Sequence, residues 1–187
     1  SLGILLGLAR VSPWRWLRWP ITALVFVVRG VPLLMVIFWA YFFLPTLTGQ
    51  RTDQFTTMLL ALVLFDAVYL AEIVRAGIQG LDRGQFEAAR SLGLGYLASM
   101  RLVILPQALR ITVPPLISQT LNLWKNTSIA TVIGVAELMY QAGQVESSTF
   151  RSFESFAFAT AAYLSVSLLI TGAAAWYQQR YPGVERR

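Results

Sequence analysis

Lys125, Asn126, Thr127 and Ser128 place an ammonium, an amide and two hydroxyls in succession within an otherwise apolar run. Such a set can hold a small zwitterion by charge and hydrogen bonds, but it contains no nucleophile–base pair. A charge inside a bilayer span costs roughly 3 kcal/mol on insertion scales, so such residues face a bundle interior or a polar pathway. In the pathway reading the four residues interrupt the helix and offer backbone and side-chain groups to a ligand. In the structural reading Thr127 and Ser128 hydrogen-bond between helices. Asp66 and Glu72 are the other acids in apolar surroundings. Glu72 stands three residues before Arg75 on one helix face, where the two can pair. That pairing and a lining role in the pathway are both open; Asp66 reads as structural. The chain has no cysteine and no histidine. This removes disulfides, a thiol nucleophile, the commonest general base and the commonest metal ligand. No catalytic or metal constellation remains, which counts against a membrane-embedded enzyme.

A second chemically distinct stretch lies at 81–106. The overlapping run Gly84–Ala108, GQFEAARSLGLGYLASMRLVILPQA, carries Glu87, Arg90 and Arg101 between two long apolar runs. Arg83–Ser91 is rich in helix formers. Gly93 and Gly95 permit a turn that other residues resist. From Tyr96 to Leu105 a helix resumes, with Tyr96, Met100 and Val103 on one face, and Pro106 is expected to end it. The product is a bracket of two helices outside the bilayer. Ala88, Ala89 and Gly93 keep one side of it thin, so another protein could approach closely. The plainer alternative is an ordinary loop carrying an interfacial helix.

The elements that must position these residues follow from composition. Of 187 residues, 56% are hydrophobic and 13% charged; a soluble domain is nearer a quarter charged. The chain therefore reads as one all-α membrane domain over residues 1–187, its partner a lipid bilayer. The net charge of +6 is spread between apolar runs, which fits membrane topology better than nucleic acid. Spans need about 20 apolar residues each. Ser1–Ala9 is expected to be the end of a first span whose beginning is truncated. An interfacial loop at Arg10–Trp19 follows, and Ile21–Val28 forms a short leading turn before Pro32. Spans are then expected over Val31–Leu44, Phe55–Gly80, Ile111–Ala136 and Ser155–Trp176. Pro114–Pro115 interrupt the fourth span, and Glu137–Glu154 is a polar loop. The intact chain would have five spans.

Charge sets the sides. Arg10, Arg15, Arg18, Arg75, Arg83, Arg90, Arg101, Arg110, Arg180, Arg186 and Arg187 fall on one side, against Arg51 and Arg151 on the other. By the positive-inside rule the bracket and the C-terminus are cytoplasmic.

The bracket also carries a resemblance. Glu87-Ala88-Ala89, Gly93 and Leu105-Pro106, with Val103 at an isoleucine position, resemble the EAA signature of ABC importer permeases. RGVPLL (Arg29–Leu34), YLAEIVRAGIQ (Tyr69–Gln79), RGQFEAA (Arg83–Ala89), ILPQALR (Ile104–Arg110) and KNTS (Lys125–Ser128) are similar to the polar amino acid branch. The resemblance implies a type I ABC importer permease fold in a bacterial inner membrane. It implies that 81–106 is the coupling helix, with Glu87, Ala88, Ala89 and Gly93 contacting a cytoplasmic ATPase. It also implies a second permease subunit, identical or related, and a periplasmic solute-binding protein. Family members usually carry Asp where this chain has Asn126, a departure that favours an acidic or neutral substrate. Lys125 is the sole lysine, so the chain holds no phosphate-binding loop of the G-x-x-x-x-G-K-[ST] type. ATP and magnesium are therefore expected on the partner subunit, and this chain needs no cofactor of its own. Glutamate/aspartate or glutamine is the favoured cargo. The candidate pathway residues are Glu72, Lys125, Asn126, Thr127 and Ser128. The competing reading is an ion-coupled secondary transporter or channel subunit using Asp66 and Glu72.

Overall fold

The computed structural model describes residues 2–49 and 53–180. Arg51, Arg186 and Arg187, which entered the charge count, lie outside the described residues, as does Ser1 at the start of the expected first span. Helix α4 (Gln54–Gln79) is the organising element. Its 26 residues span about 39 Å at 1.5 Å each. Asp53 caps its start by accepting the Thr56 N–H at 2.9 Å. The hydroxyl of Thr56, and then its amide, hold the Asp53 carboxyl below its ordinary pKa. Met58, Ala61, Phe65, Val68, Ala71, Val74 and Ile78 are all buried along α4, the stripe expected of a central helix.

Three neighbours from earlier in the chain pack on that stripe. Helix α1 (Leu2–Val11) runs parallel to α4, because Gly3 meets Ala67 and Leu70 while Gly7 meets Ala71 and Val74. A Cβ on Gly3 would come within 2.9 Å of the Ala67 carbonyl, and one on Gly7 within 2.7 Å of Val74 Cβ. Glycines four apart thus let the two backbones meet. Helix α2 (Arg15–Arg29) and α3 (Leu33–Thr48) meet at a 105° bend, placed by Gly30 and Pro32. Pro32 carries the non-helical backbone expected before a new helix. The expected loop at Arg10–Trp19 is therefore shorter: Arg10 is still in α1, and Arg15–Trp19 already belongs to α2. The expected short turn at Ile21–Val28 is the second half of α2.

The bracket consists of α5 (Arg83–Ser91) and α6 (Tyr96–Ser99). A π-helical turn at Met100–Ile104 continues α6 into α7 (Leu105–Asn126). Pro106 does not end the helix as expected. The Leu105 N–H reaches back five residues to the Met100 carbonyl, and this widened turn lies immediately before the proline. Pro114 and Pro115 are likewise accommodated inside α7. α7 is antiparallel to α4: Asp66 pairs with Gln119, whereas Gly77 packs on Ala108 and Thr112.

At Thr127 the α-helix tightens to a 3-10 helix that ends at Ile133. Glu137–Glu154 is not a loop. Helix α8 (Leu138–Thr149) fills it, with the Glu137 carboxylate accepting the Met139 and Tyr140 amides at 2.8 and 2.7 Å. Helix α9 (Ser152–Arg180) is the last described element and buries only Ser155 and Ala159. Among the described residues, three helices are long and apolar enough to cross a membrane, or four if α2 and α3 form one bent span; α1 is a shorter apolar helix.

Candidate functional site

The bracket is built by local capping. Asp82 caps α5 by accepting the Gly84 N–H at 2.6 Å. At the other end the Gly93 N–H donates to Arg90 O at 2.8 Å and Leu94 N–H to Ala89 O at 3.1 Å. This paired closure needs its turn residue left-handed, and Gly93 has φ +73°. Gly95, expected to share that role, has ordinary backbone at φ −66°. The Tyr96 hydroxyl donates to Val11 O at 3.3 Å, tying the second arm to α1. Gln107 of α7 donates to Gln85 of α5 at 2.9 Å, tying the first arm to a span.

What the bracket presents is partly what its sequence suggests. Glu87, Ala88 and Gly93 are exposed. Ala89 is not: it is 1% exposed and packs inward, where it supports the bracket. Leu92 and Leu97, both 77% exposed, are two apolar residues that sequence reading passed over. Leu92 directly precedes the turn glycine Gly93, and Leu97 lies in the first turn of α6.

The pathway candidates separate into two places. Lys125 lines a cavity of about 490 Å³ between α7 and α9, with Met139, Thr160, Tyr163, Ser167 and Thr171. Lys125 has no ion pair among the described residues. Its neighbours do not share the cavity lining. The Thr127 hydroxyl donates to Trp124 O at 2.7 Å, and Ser128 to Lys125 O at 2.8 Å. Both hydroxyls serve the change from α to 3-10 helix, a local use common for Ser and Thr. Asn126 is the last α-helical residue and also lies outside the lining. Tyr163 and Glu137 extend the polar wall, the phenol donating to the carboxylate at 2.9 Å.

Glu72 belongs elsewhere. It pairs with Arg10 of α1 and with Arg75, and lies 3.6 Å from Arg29 of α2. Arg29 in turn stacks over Tyr69, 5.4 Å from its centroid. The expected Glu72–Arg75 pair is present, but the carboxylate anchors three helices and does not line the Lys125 cavity. Lys125 sits about ten residues, or ~15 Å, farther along α7 than the level of Glu72. Asp66 accepts from Gln119 at 2.6 Å, holding α4 to α7. Among the described residues no three acidic, His or Cys side chains converge as a metal site.

The comparisons agree with this architecture. The family model described as binding-protein-dependent transport system inner membrane component matches residues 1–182. A probable glutamine ABC transporter permease protein of Bacillus subtilis, GlnM, is 42% identical over 89% of this chain and 77% of its own length. The arginine transport system permease protein ArtQ of the same organism is 38% identical over 91% of this chain and 78% of its own. A solved structure titled as an amino acid ABC transporter with histidines superimposes with a TM-score of 0.89. It is 34% identical and the match covers 96% of this chain and 83% of that one. An inward-facing form of the MetNI methionine ABC transporter shares the fold, with a TM-score of 0.79 at 20% identity. With its all-α bundle, its bracket and these relatives, the chain belongs to the binding-protein-dependent transport system inner membrane component family, as a polar amino acid ABC transporter permease.

Proposed function

We propose that this chain is the transmembrane subunit of an ATP-driven importer of polar amino acids in a bacterial inner membrane. The observation that carries the reading is the bracket: a capped, anchored pair of helices that exposes Glu87, Ala88, Leu92, Gly93 and Leu97 on the arginine-rich side. An ATPase subunit is the partner that would use it, and the charge asymmetry supports a cytoplasmic location. Hydrolysis occurs on that partner, with its ATP and magnesium; this chain is not itself an enzyme. The links from Gln85 to Gln107 and from Tyr96 to Val11 would carry bracket movement into α7 and α1. A second permease subunit covers the exposed face of α9 and completes the path, and a solute-binding protein delivers cargo on the α8 side. Alternating access then follows from rocking of the two bundles.

The Lys125 cavity supports a carboxylate-bearing cargo, because its lining offers one ammonium and several hydroxyls, while the nearby Glu137 carboxylate is already taken by Tyr163 and by the Met139 and Tyr140 amides. Glutamate, aspartate or glutamine fits better than arginine. An ion-coupled mechanism is less well supported, since Asp66 and Glu72 are already engaged by Gln119 and by arginines. The test is uptake by proteoliposomes holding the permease, its ATPase and its binding protein, across a panel of amino acids. ATP-dependent uptake favouring glutamate, aspartate or glutamine is expected. Uptake driven by an ion gradient without ATP would overturn the reading.

A further inference from the structure

Beside the Glu72 cluster, on the bracket side of the bundle, lies a second cavity of about 480 Å³. Arg10, Arg18, Thr22, Arg75, Gln79 and Tyr96 line its polar parts. Three guanidinium groups face it, and Glu72 is the carboxylate they have at hand. That carboxylate takes Arg10 and Arg75, and Arg75 also donates to Gln79. Arg18 has no ion pair among the described residues. The Arg10 side chain is only 10% exposed, yet its Nε has no hydrogen-bond partner among the described residues. A buried charged donor without an acceptor is unfavourable. The site thus carries surplus positive charge and surplus donors, in fork geometry suited to phosphate oxygens.

The surroundings indicate where the phosphate comes from. Trp14, Trp16 and Trp19 are 59%, 74% and 63% exposed around Arg18 at the start of α2. Tryptophans in such a position mark the level of lipid headgroups. Basic pockets between membrane helices at that depth suit anionic headgroups. We infer that the cavity lined by Arg10, Arg18 and Arg75 binds the phosphodiester headgroup of an anionic phospholipid. The bound headgroup would also touch the bracket, because Phe86 and Tyr96 form part of the same wall.

The test uses the purified whole transporter in detergent. Binding of short-chain phosphatidylglycerol, phosphatidylcholine and inorganic phosphate is measured by native mass spectrometry and thermal shift. Phosphatidylglycerol is expected to bind and stabilise, and phosphatidylcholine to do so far less. Arg18→Gln should weaken phosphatidylglycerol binding by about tenfold, on the order of one charge-assisted contact. Arg18 is exposed and makes no ion pair among the described residues, so this variant keeps the fold; Arg10→Gln supplies a second reading if it assembles. Arg110→Gln removes the same charge outside the cavity and should bind as the parent does. Equal binding by Arg18→Gln and the parent overturns the assignment. So does an equal loss in Arg110→Gln, which would mean diffuse surface attraction. Saturable binding of inorganic phosphate with none of phosphatidylglycerol would replace the lipid by a soluble anion and overturn the lipid assignment.

Discussion

Gln107 Nε2 lies 2.9 Å from Gln85 Oε1 and 2.9 Å from Val103 O, so one amide ties the first arm of the bracket to the helix that carries Lys125. The bond spans a place where the backbone is already unusual, one turn after the π segment and next to Pro106. Replacing either partner by alanine should cost about 1 kcal/mol of stability. In a double-mutant cycle, Gln85→Ala and Gln107→Ala should couple by roughly 0.5–1.5 kcal/mol. If the bond transmits movement, each single variant also lowers uptake per ATP hydrolysed. Additive stability effects and unchanged transport stoichiometry would remove Gln107 from the mechanism.

Gly93 gives the second prediction. At φ +73° a β-carbon is strained, although nothing lies within 4 Å of the place it would occupy. Gly93→Ala should therefore cost about 1 kcal/mol, and Gly93→Asn less. Gly93→Pro cannot adopt this conformation, so it should uncouple ATP hydrolysis from transport. Thermal unfolding and substrate-stimulated ATPase activity of the assembled complex check the series. A Gly93→Pro complex with normal coupling would contradict it.

Glu72 and Lys125 are expected to respond differently. Glu72→Leu leaves Arg10 and Arg75 without their shared carboxylate and should destabilise by about 3 kcal/mol. Adding Lys125→Met should not restore that stability, whereas adding Arg10→Met should recover part of it. Lys125→Met alone should assemble normally and lower uptake, most for acidic amino acids. Normal glutamate, aspartate and glutamine uptake by a stable Lys125→Met protein would remove Lys125 from the pathway.

Sidedness is tested without background from this chain, which has no cysteine. Arg90→Cys should be labelled by an impermeant reagent only after the membrane is opened. Arg151→Cys should be labelled in intact cells. Labelling of position 90 from outside would invert the proposed orientation and detach the bracket from a cytoplasmic partner.

The long spans within α4, α7 and α9 were legible because bilayer thickness sets a length that apolar runs either meet or miss. The bracket helix Arg83–Ser91 and the turn at Gly93 were legible too, since propensity and positive φ are local properties. Within the ion cluster the Glu72–Arg75 pair was legible, but Arg10 was not: it lies 62 positions from Glu72, and no pattern in either neighbourhood predicts their meeting. Pro106 misled because proline reads as a stop, while the π turn that makes room for it leaves no local mark. α8 was missed because its polarity resembles a loop. Its marks were Glu137 as a cap and Leu138, Ala142 and Val145 at helical spacing. At Lys125–Ser128 four polar residues read as one site, yet the 3-10 turn sends two hydroxyls to backbone carbonyls and leaves only the lysine on the cavity wall.

The central claim is that the exposed tip of the bracket docks an ATPase. Leu97→Cys, introduced at a position 77% exposed, tests it most directly through disulfide or short-linker cross-linking in the assembled transporter. The account predicts cross-linking from position 97 to the ATPase subunit, with a yield that changes between ATP-bound and nucleotide-free states. It also predicts that Leu97→Glu weakens ATPase association while the permease still inserts. An assembled, transport-active complex in which position 97 never reaches the ATPase, and Leu97→Glu associates normally, would contradict it.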